Sequence, residues 1–206
     1  FHLANALITR RRSDEALALY RDILHRNPDT KDIHEKFGDA LRYEEQHTIA
    51  AEAFSAALDR SPGDARIAAK LADALSRTGR GEEALEVLRG IEDTGRRVFV
   101  AKRTGEVLER MGRFEEAAEM HQRILRDDSG NVWALAALVD NRATELSPEQ
   151  RHALVSAAES RAIPSNAQAA ANFALGQLFD SDGEYARAFE AFARANRVRQ
   201  QQKPFD

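Results

Sequence analysis

Small residues recur along this chain in a fixed register, and no other feature limits the fold as tightly. Residues 37 to 58, FGDALRYEEQHTIAAEAFSAAL, match residues 175 to 196, LGQLFDSDGEYARAFEAFARAN, in pattern. Phe37 and Gly38 stand against Leu175 and Gly176, Ala50 against Ala188, Phe54 against Phe192, and Ala57 against Ala195. Each copy reads as a run of helical period, a polar turn, and a second helical run A-x-x-x-F-x-x-A. Glycine inside a helix costs about 1 kcal/mol relative to alanine, so close packing has to offset Gly38 and Gly176.

The same frame divides the chain into six units: 1–30, 31–64, 65–97, 98–131, 132–168 and 169–202. Spacings of 34, 33, 34 and 37 residues account for the 138 between Gly38 and Gly176. The small site of the first helix is held by Ala4, Gly38, Ala72, Gly105 and Gly176, and its partner site by Ala16, Ala50, Ala84, Ala117 and Ala188. Where two antiparallel helices cross at such sites, small residue facing small residue, their axes approach at the short end of about 8–10 Å. Tyr20, Phe54, Leu88 and Phe192 then fill the space toward the next unit, and His121, at the same place in the fourth, is read as a core or partly buried residue. The unit 132–168 is degenerate, with Val139 at the small site, and the stack is expected to change angle there. It remains helical: a helix from about Val132 to Thr144 carries Trp133 at its start. Ser147-Pro148-Glu149-Gln150 then supplies an N-cap serine, a proline at the first helical position and a capping-box glutamine. Ile163-Pro164-Ser165-Asn166 breaks the chain before the last hairpin.

A period near 34 with this pattern resembles the tetratricopeptide repeat (TPR). The resemblance implies an all-α, TPR-like α-solenoid of about six helix-turn-helix units over residues 1–206. Such units form a right-handed superhelical stack, here with one degenerate unit. It also implies a protein-interaction scaffold that holds a peptide or protein segment in a concave groove. A second resemblance rests on Phe173 to Gly176, Gly183, Tyr185, Ala188, Phe189, Asn196, Arg197 and Arg199. These residues are similar to the last repeat of bacterial TPR–sulfotransferase fusion proteins, which implies a natural protein continuing past Asp206 into a sulfotransferase domain. The arginine-rich end would then be an extended last helix, stopped by Pro204.

Charge narrows the partners. The chain has 34 acidic and 30 basic residues, net −4, with no basic block, so nucleic acid and membrane surfaces are not expected partners. No stretch approaches the ~20 apolar residues of a membrane span, and a cytoplasmic location is expected. There is no cysteine, which removes disulfides and thiolate metal sites. H-E-x-x-H, G-x-S-x-G and G-x-x-x-x-G-K-[ST] are all missing, as is any strand pattern for a donor-binding domain. The chain is therefore expected to be no enzyme and to use no cofactor and no metal. A structural or oligomerisation scaffold, with a homodimer formed through an open terminal repeat, is the alternative to partner binding.

In TPR stacks the first helix of each hairpin lines the inner surface. That places Asn5, Lys36, Asp39, Arg66, Lys70, Asp73, Lys102, Arg103 and Glu106 in the groove, with Asp32, Glu35 and Arg42 beside them. The carboxylate clamp of chaperone-binding TPR proteins is matched only in part. Asn5 and the Arg66/Lys70 pair fit it, but Phe1 and Lys36 stand where it has lysine and asparagine. Two readings follow: the basic strip Arg66/Lys70/Arg103 binds a partner, or it pairs with Asp39 and Asp73 of neighbouring repeats. Phe99 and Trp133, near helix starts, are read as packing residues rather than peptide anchors.

Overall fold

A computed structural model describes residues 3, 4, 7, 12–27, 32–91, 96–142, 145–160 and 162–202. Among the described residues there are eleven helices longer than a turn and no strand. Six fall in a first compact unit, Phe1–Met111: α1 (Ser13–Arg26), α2 (Ile33–Tyr43), α3 (His47–Arg60), α4 (Ala65–Arg77), α5 (Gly81–Arg89) and α6 (Arg97–Arg110). Five fall in a second, Gly112–Asp206: α7 (Phe114–Asp127), α8 (Val132–Asn141), α9 (Pro148–Glu159), α10 (Ser165–Ser181) and α11 (Tyr185–Gln202). Within the first unit consecutive helices pack on one another, and α4 also packs on α6, so successive first helices lie side by side. In the second, α8 and α9 both pack on α10, and α10 packs on α11. None of the described helices is long and apolar enough to cross a membrane.

Local chemistry sets the boundaries. The Asp64 side chain accepts from the backbone N–H of Arg66 and Ile67 to open α4, and Asn131 accepts from Ala134 to open α8. Ser147 and Gln150 form the expected reciprocal capping box, with Pro148 at the first helical position of α9. Helix α8 stops at Asn141, short of the expected Thr144, because Arg142 takes a left-handed conformation (φ 52°); Thr144 itself lies outside the described residues. Pro204 also lies outside them, and α11 runs to Gln202. The turns inside two hairpins use Gly79 and Gly183 at φ 79° and 78°, and Gly112 takes 75° in the segment before α7, a region open to glycine at no steric cost.

Every alanine at the two small sites is buried: Ala4, Ala16, Ala50, Ala84 and Ala117 are fully enclosed, and Ala72 and Ala188 are nearly so. Gly38, Gly105 and Gly176 are buried as well. The expectation that small residues face small residues needs correction at Gly38 and Gly176. A Cβ on Gly38 would lie 2.6 Å from Cε1 of Phe54, and one on Gly176 would lie 2.5 Å from Cε1 of Phe192. Each glycine sits under the phenyl ring one helical turn beyond the partner alanine. Phe54 therefore packs into its own hairpin as well as toward the next one, and it is fully buried. His121, at the equivalent position of α7, is buried too.

Candidate functional site: a cationic cleft in the first unit

The first helices of three successive repeats present matching positions. Lys36, Lys70 and Arg103 occupy one row across α2, α4 and α6, Asp39, Asp73 and Glu106 a second, and Tyr43, Arg77 and Arg110 a third. Positions separated by three, four and seven residues share one face of a helix, so each row continues from helix to helix. Between these helices lies a cleft of about 450 Å³ lined by Arg42, Arg66, Ala69, Lys70, Asp73, Arg77, Phe99, Arg103, Glu106 and Arg110. Six of the lining side chains are cationic and two are carboxylates, in a chain whose net charge is −4.

The charges fall into two layers. At the floor, Glu35 on α2 is almost completely buried. Lys70 Nζ donates to Glu35 Oε1 at 2.8 Å and to Asp39 Oδ2 at 2.6 Å, while Arg66 reaches Glu35 Oε2 at 3.4 Å. The ammonium also lies 5.8 Å from the centroid of the Phe54 ring. Lys70 is thus held by two carboxylates of the preceding repeat, and its charge is largely neutralised there. Nearby, burial and then the Asp39 charge raise the Tyr20 hydroxyl above its ordinary pKa.

The outer layer is arginine. Asp73 accepts from Arg77 Nε at 3.1 Å, one turn along its own helix, and from Arg110 on α6 at 3.2 Å. Arg110 also donates to the Ser76 hydroxyl. Arg103 pairs with Glu106 at 2.8 Å and lies over the Phe99 ring, 5.4 Å from its centroid. Arg103 Nε is buried with no hydrogen-bond partner among the described residues. Arg66 leaves 63% of its side chain in solvent. Ion pairs this exposed contribute about 0–1 kcal/mol, so an incoming anion can displace them at little cost.

Of the residues expected in the groove, Arg66, Lys70, Asp73, Arg103 and Glu106 line this cleft together. Asp39 takes part as a counter-ion of Lys70. Lys36 and Lys102 are not in the lining, and Asn5 lies outside the described residues. Binding and inter-repeat pairing do not exclude each other here: Lys70 is consumed by pairing, whereas the arginines are only partly so. Sequence reasoning missed Arg77 and Arg110 as site residues. Their signal was present, since each stands seven residues after Lys70 or Arg103 on the same helix face. The Phe99 ring, read as a packing residue, packs beneath Arg103 where it also lines the cleft. Trp133 lies in the second unit, half exposed, on α8. Among the described residues no cluster of histidine and carboxylate side chains is arranged to hold a metal ion.

Three family models, each described as tetratricopeptide repeat, match residues 1–42, 41–97 and 103–132. No curated protein matches the chain. Among solved structures, PilW, described as a widely conserved type IV pilus biogenesis factor, is 18% identical. That alignment covers 100% of this chain and 92% of that one, with a TM-score of 0.67. The pilF protein of Pseudomonas aeruginosa is also 18% identical, covering 100% and 90% at a TM-score of 0.64. MamA is 13% identical, covering 98% and 97% at a TM-score of 0.58. At these identities the likeness is one of fold.

Proposed function

This chain belongs to the tetratricopeptide repeat family, and from that premise we propose that it is a non-catalytic interaction scaffold whose first-unit cleft takes an acidic segment of a partner protein. The observation that carries the reading is the cleft's charge, six cations against two carboxylates in an acidic chain. Guanidinium groups suit this task because they offer a planar fork of donors that matches a carboxylate. Lys70, already held by Glu35 and Asp39, contributes to shape more than to recognition. Arg66, Arg77, Arg103 and Arg110 supply the contacts, and Phe99 offers an apolar surface among them. Complementary charge of this kind raises the association rate and selects the partner, and it weakens as salt rises.

The test uses the full chain and two fluorescein-labelled peptides of equal length, one rich in aspartate and glutamate, the other with the amides in their place. Anisotropy is expected to show binding of the acidic peptide only. That binding should weaken steeply between low and physiological salt and fall by roughly tenfold or more in the double variant Arg103→Glu/Arg110→Glu. Equal binding of both peptides, or none of either, sinks the reading.

The likeness of residues 173–206 to the last repeat of TPR–sulfotransferase fusions supports a narrower version, in which the captured protein is presented to a linked transferase. Its test is the coding sequence downstream of Asp206, where a strand followed by a glycine- and serine-rich phosphate loop is expected and a stop codon is the contrary result.

A further inference from the structure

The second helices of the hairpins can be compared position by position, and the last one stands apart. One residue after the small-site alanine come Leu17, Ala51, Leu85 and Ala118, all buried. Each is on a helix that packs against the first helix of the next hairpin. At the same position α11 carries Phe189, 75% exposed, and no element among the described residues covers it. Two residues before the alanine the other helices have Asp14, Thr48, Glu82 and Glu115, where α11 has Ala186. Five residues after it they have Arg21, Ser55, Arg89 and Gln122, where α11 has Ala193. Tyr185, one turn before Phe189, is 70% exposed.

Tyr185, Ala186, Phe189 and Ala193 are spaced so that they share one face of the helix. The face is therefore not simply an uncovered copy of the others. Two positions that are polar in every other second helix compared are alanine here, which widens the apolar stripe and flattens it around one projecting ring. An α-helix of 18 residues spans about 27 Å, long enough to receive a partner helix along its length.

The border of the stripe specifies the occupant. Glu190, Arg194 and Arg197 run along one edge at successive turns. Arg194 donates to Asn172 at 3.0 Å and lies 3.9 Å from Glu190, whereas Arg197 is exposed and forms no ion pair among the described residues. A second copy of this helix laid against the first would add a second unpaired Arg197 beside two Glu190–Arg194 pairs, an excess of like charge across an apolar contact. We propose that the outer face of α11 seats an amphipathic helix of a partner protein whose apolar ridge is bordered by carboxylates. Phe189 is its anchor, Ala186 and Ala193 give the approaching ridge room on either side, and Arg197 meets the acidic border. This surface is separate from the cleft and does not depend on the reading given to it.

The experiment uses the full chain and two synthetic helical peptides of about three heptads, with leucines on one face bordered by glutamate in one peptide and by lysine in the other. Fluorescence polarisation is expected to show the glutamate-bordered peptide binding at least roughly tenfold more tightly. Phe189→Ser and Arg197→Glu should each weaken it severalfold, while Arg103→Glu/Arg110→Glu in the cleft should leave it unchanged. Indifference to the border charge overturns the proposal, and so does a loss caused by the cleft variant instead of by Phe189→Ser. Sedimentation of the unliganded protein is expected to show a monomer; a dimer dissolved by Phe189→Ser would assign the face to a second copy and overturn it equally.

Discussion

In the hairpin formed by α2 and α3, Gly38 lies under Phe54; in the one formed by α10 and α11, Gly176 lies under Phe192. A methyl group at either glycine would meet the ring at nearly the same distance, 2.6 Å in one and 2.5 Å in the other. The inside of the two hairpins is thus the same solution written twice. What differs is the outside: Phe54 is fully enclosed by the hairpin that follows, while Phe192 keeps part of its surface in solvent. The comparison separates two contributions that a single hairpin would confound, namely closure of the pair and coverage by the next pair. Closure is local and repeated. Coverage depends on the position in the array, as expected where each repeat contacts only its neighbours.

The largest test of that separation is to remove the ring in each place. Phe54→Ala should cost about 3–5 kcal/mol, the full transfer and cavity penalty of a buried phenylalanine. Phe192→Ala should cost roughly half as much, since part of its surface never leaves water. Hydrogen exchange followed hairpin by hairpin in increasing urea measures both without assuming that the whole chain unfolds in one step. Equal losses would mean that coverage by the next repeat adds nothing.

The next test addresses closure alone. Gly38→Ala and Gly176→Ala each gain helix propensity of about 1 kcal/mol, yet each forces a methyl into an aromatic ring. Overpacking of this kind costs about 1–3 kcal/mol, so both variants should be less stable than the parent, by similar amounts. A gain at either glycine would show that its ring can move aside, and that glycine is not required for the close approach.

The same division explains what could be read from the residues. Closure was legible because it depends on spacing: the alanines and glycines at offsets near 34 located the hairpins, and Ser147 to Gln150 located the start of α9. The rings over Gly38 and Gly176 were misplaced by one turn, because a pattern identifies small residues without saying which neighbour fills the space above them. The cleft was half legible. Lys70 and Arg103 belong to a row that a repeat alignment exposes. The capture of Lys70 by Glu35, in contrast, depends on side-chain reach between helices 31 or more residues apart in sequence, where rotamers decide the outcome. The apolar back of α11 was written plainly as alanine against polar residues, but only a comparison among repeats gives those alanines meaning.

The smallest effect lies in the turn inside each hairpin, where the two differ at one backbone position. Gly183 takes φ 78° between α10 and α11, and Gly79 takes φ 79° between α4 and α5. The equivalent residue between α2 and α3 is Glu45, at φ 58°. A left-handed conformation costs a residue with a side chain roughly 1–2 kcal/mol, while glycine gives back about 0.5–1 kcal/mol of that through the greater freedom of its unfolded state. Glu45→Gly should therefore stabilise the first of these hairpins by a few tenths to about 1 kcal/mol, and Gly183→Glu should weaken the second by a similar amount. Because Glu45 is exposed, the substitution removes no buried contact, and the change in stability reports the backbone alone. Opposite signs at the two sites would show that one turn geometry serves both hairpins. Equal signs would mean that the Glu45 side chain stabilises its turn in a way that the backbone angles do not reveal.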